Sequence, residues 1–218
     1  MRGHLSEAQE NYLKTIFLLG EGRPVATKAL AEALGVRPAS VTGMLKKLDK
    51  LGLVEHLPYK GVRLTPAGER IALEVIRHHR LLETFLAEAL GYGWDEVHEE
   101  ADRLEHHISE AFEARIAELL GHPERDPHGD PIPTPDLKLP PDSETPLDAA
   151  PPGIWRIRRV KSQDRDLLGL FVRLGLTPGT KLEVLEKTPT GVRLALGGER
   201  FLLPLGAARG LFVEPDSR

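Results

Sequence analysis

Residues 30–65 read LAEALGVRPASVTGMLKKLDKLGLVEHLPYKGVRLT, and the order helix, turn, helix, hairpin in this stretch decides the fold of the N-terminal part. Leu30, Ala31 and Leu34 share one face of a short helix that follows Thr27 and stops at Gly35. Val36-Arg37-Pro38 makes the turn, and a second helix is predicted from about Ala39 to Leu51, closed by Gly52. Leu53–His56 and Val62–Thr65 are predicted strands around Pro58-Tyr59-Lys60-Gly61. Two short helices followed directly by a hairpin make a winged helix-turn-helix. Leu30, Leu34, Val41, Leu45 and Leu48 supply the packing, which turns Arg37, Ser40, Thr42, Gly43, Lys46 and Lys47 outward. Hydroxyls and lysines suit phosphate and base-edge contacts, and the small Gly43 permits close approach to a groove. Lys60 and Arg63 in the wing are placed to reach the DNA backbone. The bland reading is an interaction-only helix pair. The hairpin directly after Gly52 and a local charge of +4 over residues 1–73 favour DNA.

Working outward, Ser6 with Gln9 is a capping box for a first helix whose apolar face is Leu13, Ile16, Phe17 and Leu19, stopped by Gly20 and Gly22. Thr65-Pro66 opens a long helix to about Leu90. Another is predicted from about Asp95 to Leu120, with Gly121 and Pro123 as its stop. Ten of the 18 prolines then fall between Pro123 and Pro152, which reads as an extended tether partly packed around Ile132. Beyond it, Ile154–Val160, Lys181–Glu186, Gly191–Leu196, Arg200–Leu203 and Leu211–Glu214 alternate with turn residues as in a small SH3-like β-barrel. The fold class is mainly α with a C-terminal β-module. Its parts are a winged helix-turn-helix over residues 1–73, a helical metal-binding and dimerisation part over 74–122, a proline-rich tether over 123–153 and the β-module over 154–218.

The net charge of −4 hides this layout, because the four parts carry +4, −8, −5 and +5. At 40% hydrophobic over 218 residues the chain can bury an ordinary core. The complete lack of cysteine excludes disulfides, thiol catalysis and thiolate metal ligands. Met1-Arg2-Gly3-His4 lacks the apolar run of a signal peptide, and no stretch approaches the ~18 apolar residues of a membrane span. A cytoplasmic protein with no membrane partner is expected.

The acidic part contains VHEEADRLEHHISEAF. On a continuous helix His98, Asp102, Glu105 and His106 fall on one face beside the apolar stripe Val97, Ala101, Leu104, Ile108 and Phe112, while His107 points away. The preceding helix adds His79 and Glu83, one turn apart. Imidazoles and carboxylates without sulfur suit a divalent first-row ion such as Mn²⁺ or Fe²⁺, with Zn²⁺ and Co²⁺ chemically possible. Such a cluster repels itself until a cation locks the helices together, which is the physics of a switch. A solvated acidic helix edge is the alternative, and it weakens as six residues on two helices converge. No HExxH and no nucleophile–base pair stands out, so no enzyme is expected.

This combination resembles the diphtheria-toxin-repressor family of metal-dependent bacterial regulators, in both its iron- and its manganese-responsive branches. The likeness runs through Asn11-Tyr12-Leu13, the winged helix, His79-Arg80-Leu81-Leu82-Glu83, the run from His98 to His106 and Pro127-His128-Gly129-Asp130-Pro131-Ile132-Pro133. The resemblance implies a homodimer with two metal ions per subunit. It implies that His79, Glu83 and His98 form an ancillary site, and that Asp102, Glu105 and His106 form the activating site with Asn11 from the first helix. The iron branch commonly has Cys and Met where Asp102 and Asn11 stand. The manganese branch carries carboxylates at Asn11 and Lys14, which leaves Glu10 or a water to complete the site here. Gln163 and Asp164 are possible further ligands from the β-module.

The expected function is a repressor of metal-homeostasis genes, bound to a pseudo-palindromic double-stranded operator when Mn²⁺ or Fe²⁺ is present. Hard oxygen ligands favour Mn²⁺. The rivals are a metal-independent winged-helix regulator sensing a small molecule, which would ignore chelator, and a metalloenzyme with a DNA-binding head, whose turnover would die with Glu105→Ala.

Overall fold

The computed structural model describes residues 5–94, 96–140, 144–162 and 164–216. Two compact units emerge. The first takes the chain through His79 with Leu104–Ser109 and Pro133–Lys138, and the second takes Arg80–Arg103, Glu110–Ile132 and the chain from Leu139 onward. Helix α4 (Pro66–Leu90) begins in the first and ends in the second.

In the first unit α1 (Glu7–Gly20) opens on the predicted capping box. The Gln9 N–H donates to Ser6 Oγ at 3.4 Å and the Ser6 N–H donates to Gln9 Oε1 at 2.9 Å. Helices α2 (Thr27–Ala33) and α3 (Pro38–Lys50) follow, with Pro38 in the first turn of α3, where its missing N–H costs nothing. Strands β1 (Val54–Leu57) and β2 (Gly61–Leu64) pair antiparallel, with Val54 opposite Leu64. Val25 extends this sheet by a bridge to Val62. A side chain at Gly61, whose φ is 109°, would collide with the carbonyl of Val25, so only glycine fits there. Leu13, Ile16, Leu30, Val41, Leu45, Leu48 and Val62 form the core beneath the outward face of α3.

The single helix predicted from Asp95 to Leu120 is two, α5 (Val97–Leu104) and α6 (Glu110–Leu119), and Asp95 itself lies outside the described residues. The break has a physical cause. The Glu105 carboxylate is fully buried against side chains of α1 and α4, and its carbonyl pairs with His78 Nδ1 at 3.1 Å. The residues after it close a tight turn, His107 N–H to Leu104 carbonyl at 2.9 Å, and Ser109 stands before α6 in the position where N-cap residues are favoured. Phe112, expected in the buried stripe, is consequently exposed.

The second unit is built on an antiparallel sheet of β3 (Thr145–Pro146), β4 (Gly153–Val160), β5 (Lys181–Lys187), β6 (Gly191–Leu196), β7 (Glu199–Pro204) and β8 (Leu211–Pro215). Their spatial order is β3-β8-β4-β5-β6-β7. The five predicted strands are all present. Helix α7 (Arg165–Leu174), not anticipated, is capped by Asp164, whose carboxylate accepts from the N–H groups of Asp166 and Leu167, and it ends at Gly175 with φ 69°. A short α8 (Leu205–Ala208) completes the element order. Leu147, Ile157, Phe171, Leu176, Leu194, Leu211 and Val213 fill the core.

Candidate functional site

Helix α3 presents Ser40, Thr42, Gly43, Lys46 and Lys47 to solvent, with Arg37 exposed just before it and Lys60 exposed in the wing, all as the sequence predicted. The Thr42 hydroxyl donates to the Pro38 carbonyl at 3.1 Å, and Arg63 pairs with Glu55 across the hairpin at 2.8 Å. Tyr59, which the sequence reading passed over, is fully exposed at the wing tip with φ 61°. A bulky residue in the left-handed region is strained, and such strain points toward function. Tyr59→Gly is therefore expected to raise stability by roughly 0.5–1 kcal/mol, the relieved strain less the added chain entropy. It should at the same time weaken DNA affinity. Urea unfolding and a DNA titration on the same variant check the two signs.

The first side-chain cluster lies in the first unit and is built from α1, α4 and the 104–109 turn. The His106 ring is gripped by two consecutive residues of α1, with Nδ1 2.6 Å from Glu10 Oε2 and Nε2 3.0 Å from Asn11 Oδ1. Both candidates for the helix-borne ligand, Asn11 and Glu10, thus meet the same imidazole. Glu105 accepts from Lys14 Nζ at 2.7 and 3.0 Å, and His79 Nδ1 lies 2.6 Å from its Oε2. Burial alone would push the Glu105 carboxyl up, but His79 and Lys14 outweigh it and hold the group below the ordinary carboxylate range. His107 points to solvent near Glu7, as predicted.

The second cluster lies in the second unit. Glu83 from α4 meets His98 of α5, Oε1 to Nδ1 at 3.0 Å, and Asp102 lies on the solvent side of that ring, 3.6 Å from Nε2. Asp126 and His128 come from the proline-rich segment, where the sequence reading saw a tether and a family likeness from Pro127 to Pro133 but no ligand. Glu83, Asp126 and His128 each offer a ligand atom within 4.8 Å of the others, and all three are buried. The loop is shaped for this. Asp126 Oδ1 accepts the N–H groups of His128 and Asp130, each at 2.9 Å, and His128 Nε2 meets the Trp94 carbonyl at 2.9 Å. At Gly129, with φ 87°, any side chain would strike the Arg158 carbonyl of β4. Gln163 lies outside the described residues, and Asp164 is occupied as the cap of α7.

Burial, then the neighbouring charges of Glu83 and Asp130, push the Asp126 carboxyl well above the ordinary range. Burial pulls His128 down, but Glu83 and Asp126 more than offset it and its value is raised. Both shifts have the same sign for stability. Each contributes fully below the group's unfolded value, and the contribution is lost as pH rises through the raised folded value. The metal-free protein should therefore melt lower as pH rises from about 4 toward neutrality, by up to about 1.4 kcal/mol per pH unit and per proton. Saturating Mn²⁺ should flatten the profile, because a cation takes over the role of the protons, and melting curves with chelator and with Mn²⁺ read both.

Residues 4–62 match the family model described as iron dependent repressor, N-terminal DNA binding domain, and residues 65–134 match its metal binding and dimerisation domain. Residues 145–215 match the FeoA domain. The iron-dependent repressor IdeR of Mycobacterium leprae is 32% identical over 226 residues, which spans 96% of this chain and 98% of that protein. The chain belongs to the iron-dependent repressor family. Among solved structures, a manganese-dependent transcriptional repressor in complex with manganese superposes with a TM-score of 0.87 at 38% identity, covering 94% of this chain and 98% of the other. ScaR with bound Zn²⁺ gives 0.83 at 33%, covering 95% and 99%.

Within this repressor family the architecture read from the sequence is the observed one, a helical DNA-binding domain, a helical metal-binding and dimerisation domain and an SH3-like β-module. Both clusters described above draw on the segment matched as the metal-binding and dimerisation domain, and the first adds Glu10, Asn11 and Lys14 from α1. Asp126 and His128 are what sequence reasoning missed. Their signal was two ligand-type residues flanking a proline and followed by Gly129. No helix among the described residues is long and apolar enough to cross a membrane.

Proposed function

We propose that this protein is a homodimeric repressor of metal-homeostasis genes, acting in the cytoplasm on a pseudo-palindromic operator when two Mn²⁺ or Fe²⁺ ions per subunit are bound. The observation that carries this reading is the grip of Glu10 and Asn11 on His106, because it fastens α1, which packs in the same core as the recognition helix α3, to the 104–109 turn. The donor sets fit a hard divalent cation. They hold carboxylate, amide and imidazole groups without sulfur, and the second cluster brings two buried carboxylates together in a way that otherwise demands protons. When bound, such an ion supplies positive charge that neutralises these carboxylates and joins the elements bearing them.

Glu10, Asn11, Glu105 and His106 serve the first cluster. Glu83, His98, Asp126 and His128 serve the second, with His79 one turn before Glu83 on α4, and Asp102 is expected to serve the activating site with Glu105 and His106. Oxygen donors favour Mn²⁺ over Fe²⁺, although affinity in vitro follows the Irving–Williams order and does not by itself name the physiological ion. Residues 1–73 read DNA and 74–122 hold metal and dimerise, while 123–153 connect, lend Asp126 and His128 to the second cluster and supply β3 to the β-module that 154–218 complete. Arg37, Ser40, Thr42, Gly43, Lys46, Lys47 and Lys60 make the phosphate and base-edge contacts. Two recognition helices then enter major grooves about 34 Å apart.

Counting bound metal tests the site assignment. After dialysis against saturating Mn²⁺, mass spectrometric analysis should find two ions per subunit, and one after Glu83→Gln with His98→Ala, which removes ligands common to the second cluster. No bound ion in the unaltered protein, or two in the double variant, would contradict it.

A further inference from the structure

The first cluster already contains a cation. Lys14 extends from α1 into the interior, where it is only 9% exposed, and its ammonium lies 2.7 and 3.0 Å from the two oxygens of a fully buried Glu105. The same Nζ is 3.2 Å from His79 Nδ1, and His106 Nε2 lies 3.3 Å from Glu105 Oε1. The carboxylate at the centre of the cluster is thus engaged on both oxygens by an ammonium and two imidazoles. Lysine is almost never buried this deeply without a partner, and its carboxylate partner here is itself a metal-ligand type. A divalent ion on Glu105 would stand beside that ammonium, in surroundings too dry to screen two like charges.

We propose that Lys14 is a built-in competitor for the activating ion: its ammonium occupies the cation seat between Glu105 and His79, and a divalent ion reaches Glu105 only by displacing it. This rests on the reading of the first cluster as a metal site and adds its regulation. In the metal-free protein the ammonium neutralises the buried Glu105 carboxylate. The affinity of the cluster is the difference between two cations, so the ion concentration at which the switch responds is set higher than the ligands alone would set it. An ion that enters must also give the Lys14 amine somewhere else to go.

The test measures Mn²⁺ affinity of the full-length protein by calorimetry, with Glu83→Gln and His98→Ala present so that only the first cluster is read and with circular dichroism confirming the fold. Lys14→Met and Lys14→Gln should each bind Mn²⁺ at least about tenfold more tightly than the parent, while Lys14→Arg, which keeps the charge, should not. In the protein with no substitutions, Mn²⁺ should raise the acetylation rate of the Lys14 amine several-fold, read by mass spectrometry. This second readout needs no variant to fold. Equal or weaker affinity in Lys14→Met and Lys14→Gln, or a Lys14 reactivity unmoved by bound Mn²⁺, would overturn the competitor role while leaving the metal site standing. No detectable Mn²⁺ binding by the unsubstituted protein would overturn the underlying metal-activated reading, and the competitor with it.

Discussion

Glu105→Ala is expected to lower folding stability by about 3–5 kcal/mol, the range for removing one partner of a buried ion pair. The size follows from what is left behind. Lys14 would keep a buried ammonium without its carboxylate, His79 would lose a 2.6 Å contact, and the turn between α5 and α6 would lose the side chain that interrupts the helix. The same variant should lose Mn²⁺-dependent DNA binding, because the first cluster would lose its buried carboxylate ligand while His106 alone kept the contacts to α1. The pH dependence has a definite sign. The Glu105 carboxyl lies below its ordinary value when folded, so its contribution is complete above the ordinary carboxylate range and is lost as pH falls through the lowered value. The deficit of Glu105→Ala against the parent should accordingly shrink in acid. Urea denaturation at neutral pH and in acid measures it, and a neutral-pH deficit below about 1 kcal/mol would mean that the buried triad contributes little.

Removing the metal is expected to weaken operator binding about 100-fold, which corresponds to roughly 3 kcal/mol of preference for the DNA-competent arrangement. The weak binding that remains should be largely electrostatic and insensitive to sequence. Arg37, Lys46, Lys47 and Lys60 are exposed, and each phosphate they neutralise adds about −0.9 to the slope of log affinity against log salt. Metal should therefore change affinity for the specific site far more than it changes the affinity for unrelated DNA.

The winged helix was legible because its signals are local. Leu30, Val41, Leu45 and Leu48 recur at helical spacing, Gly35 and Gly52 end the helices, and a hairpin follows at once. The long α4 was equally clear from Thr65-Pro66 onward. The break at Glu105 was not, because periodicity registers the apolar stripe through Ile108 and Phe112 and is blind to a carboxylate captured by a lysine 91 residues away. The burial of Lys14 was hidden for the same reason. Asp126 and His128 were hidden differently. Ten prolines exclude an α-helix there, although a 3-10 turn forms over Leu147–Ala149, yet they do not reveal that Asp126 turns its loop inward or that Gly129 lets it lie against β4. Helix α7 was legible and passed over, since Asp164 and Gly175 bracket an apolar pattern ending in the buried Leu168 and Phe171. The candidate ligands were found by residue type and spacing and sorted into two sites by the family resemblance, whereas the contacts of Glu10, Lys14, Asp126 and His128 within the clusters required the fold.

The central claim is that a divalent ion switches DNA binding, and the most direct measurement is fluorescence anisotropy of a labelled upstream DNA fragment titrated with the full-length protein. Three conditions suffice: Mn²⁺, Fe²⁺ under anaerobic conditions, and chelator. Tight binding with either ion, lost about 100-fold in chelator and restored by added Mn²⁺, is the predicted result. The same affinity in all three conditions would contradict it.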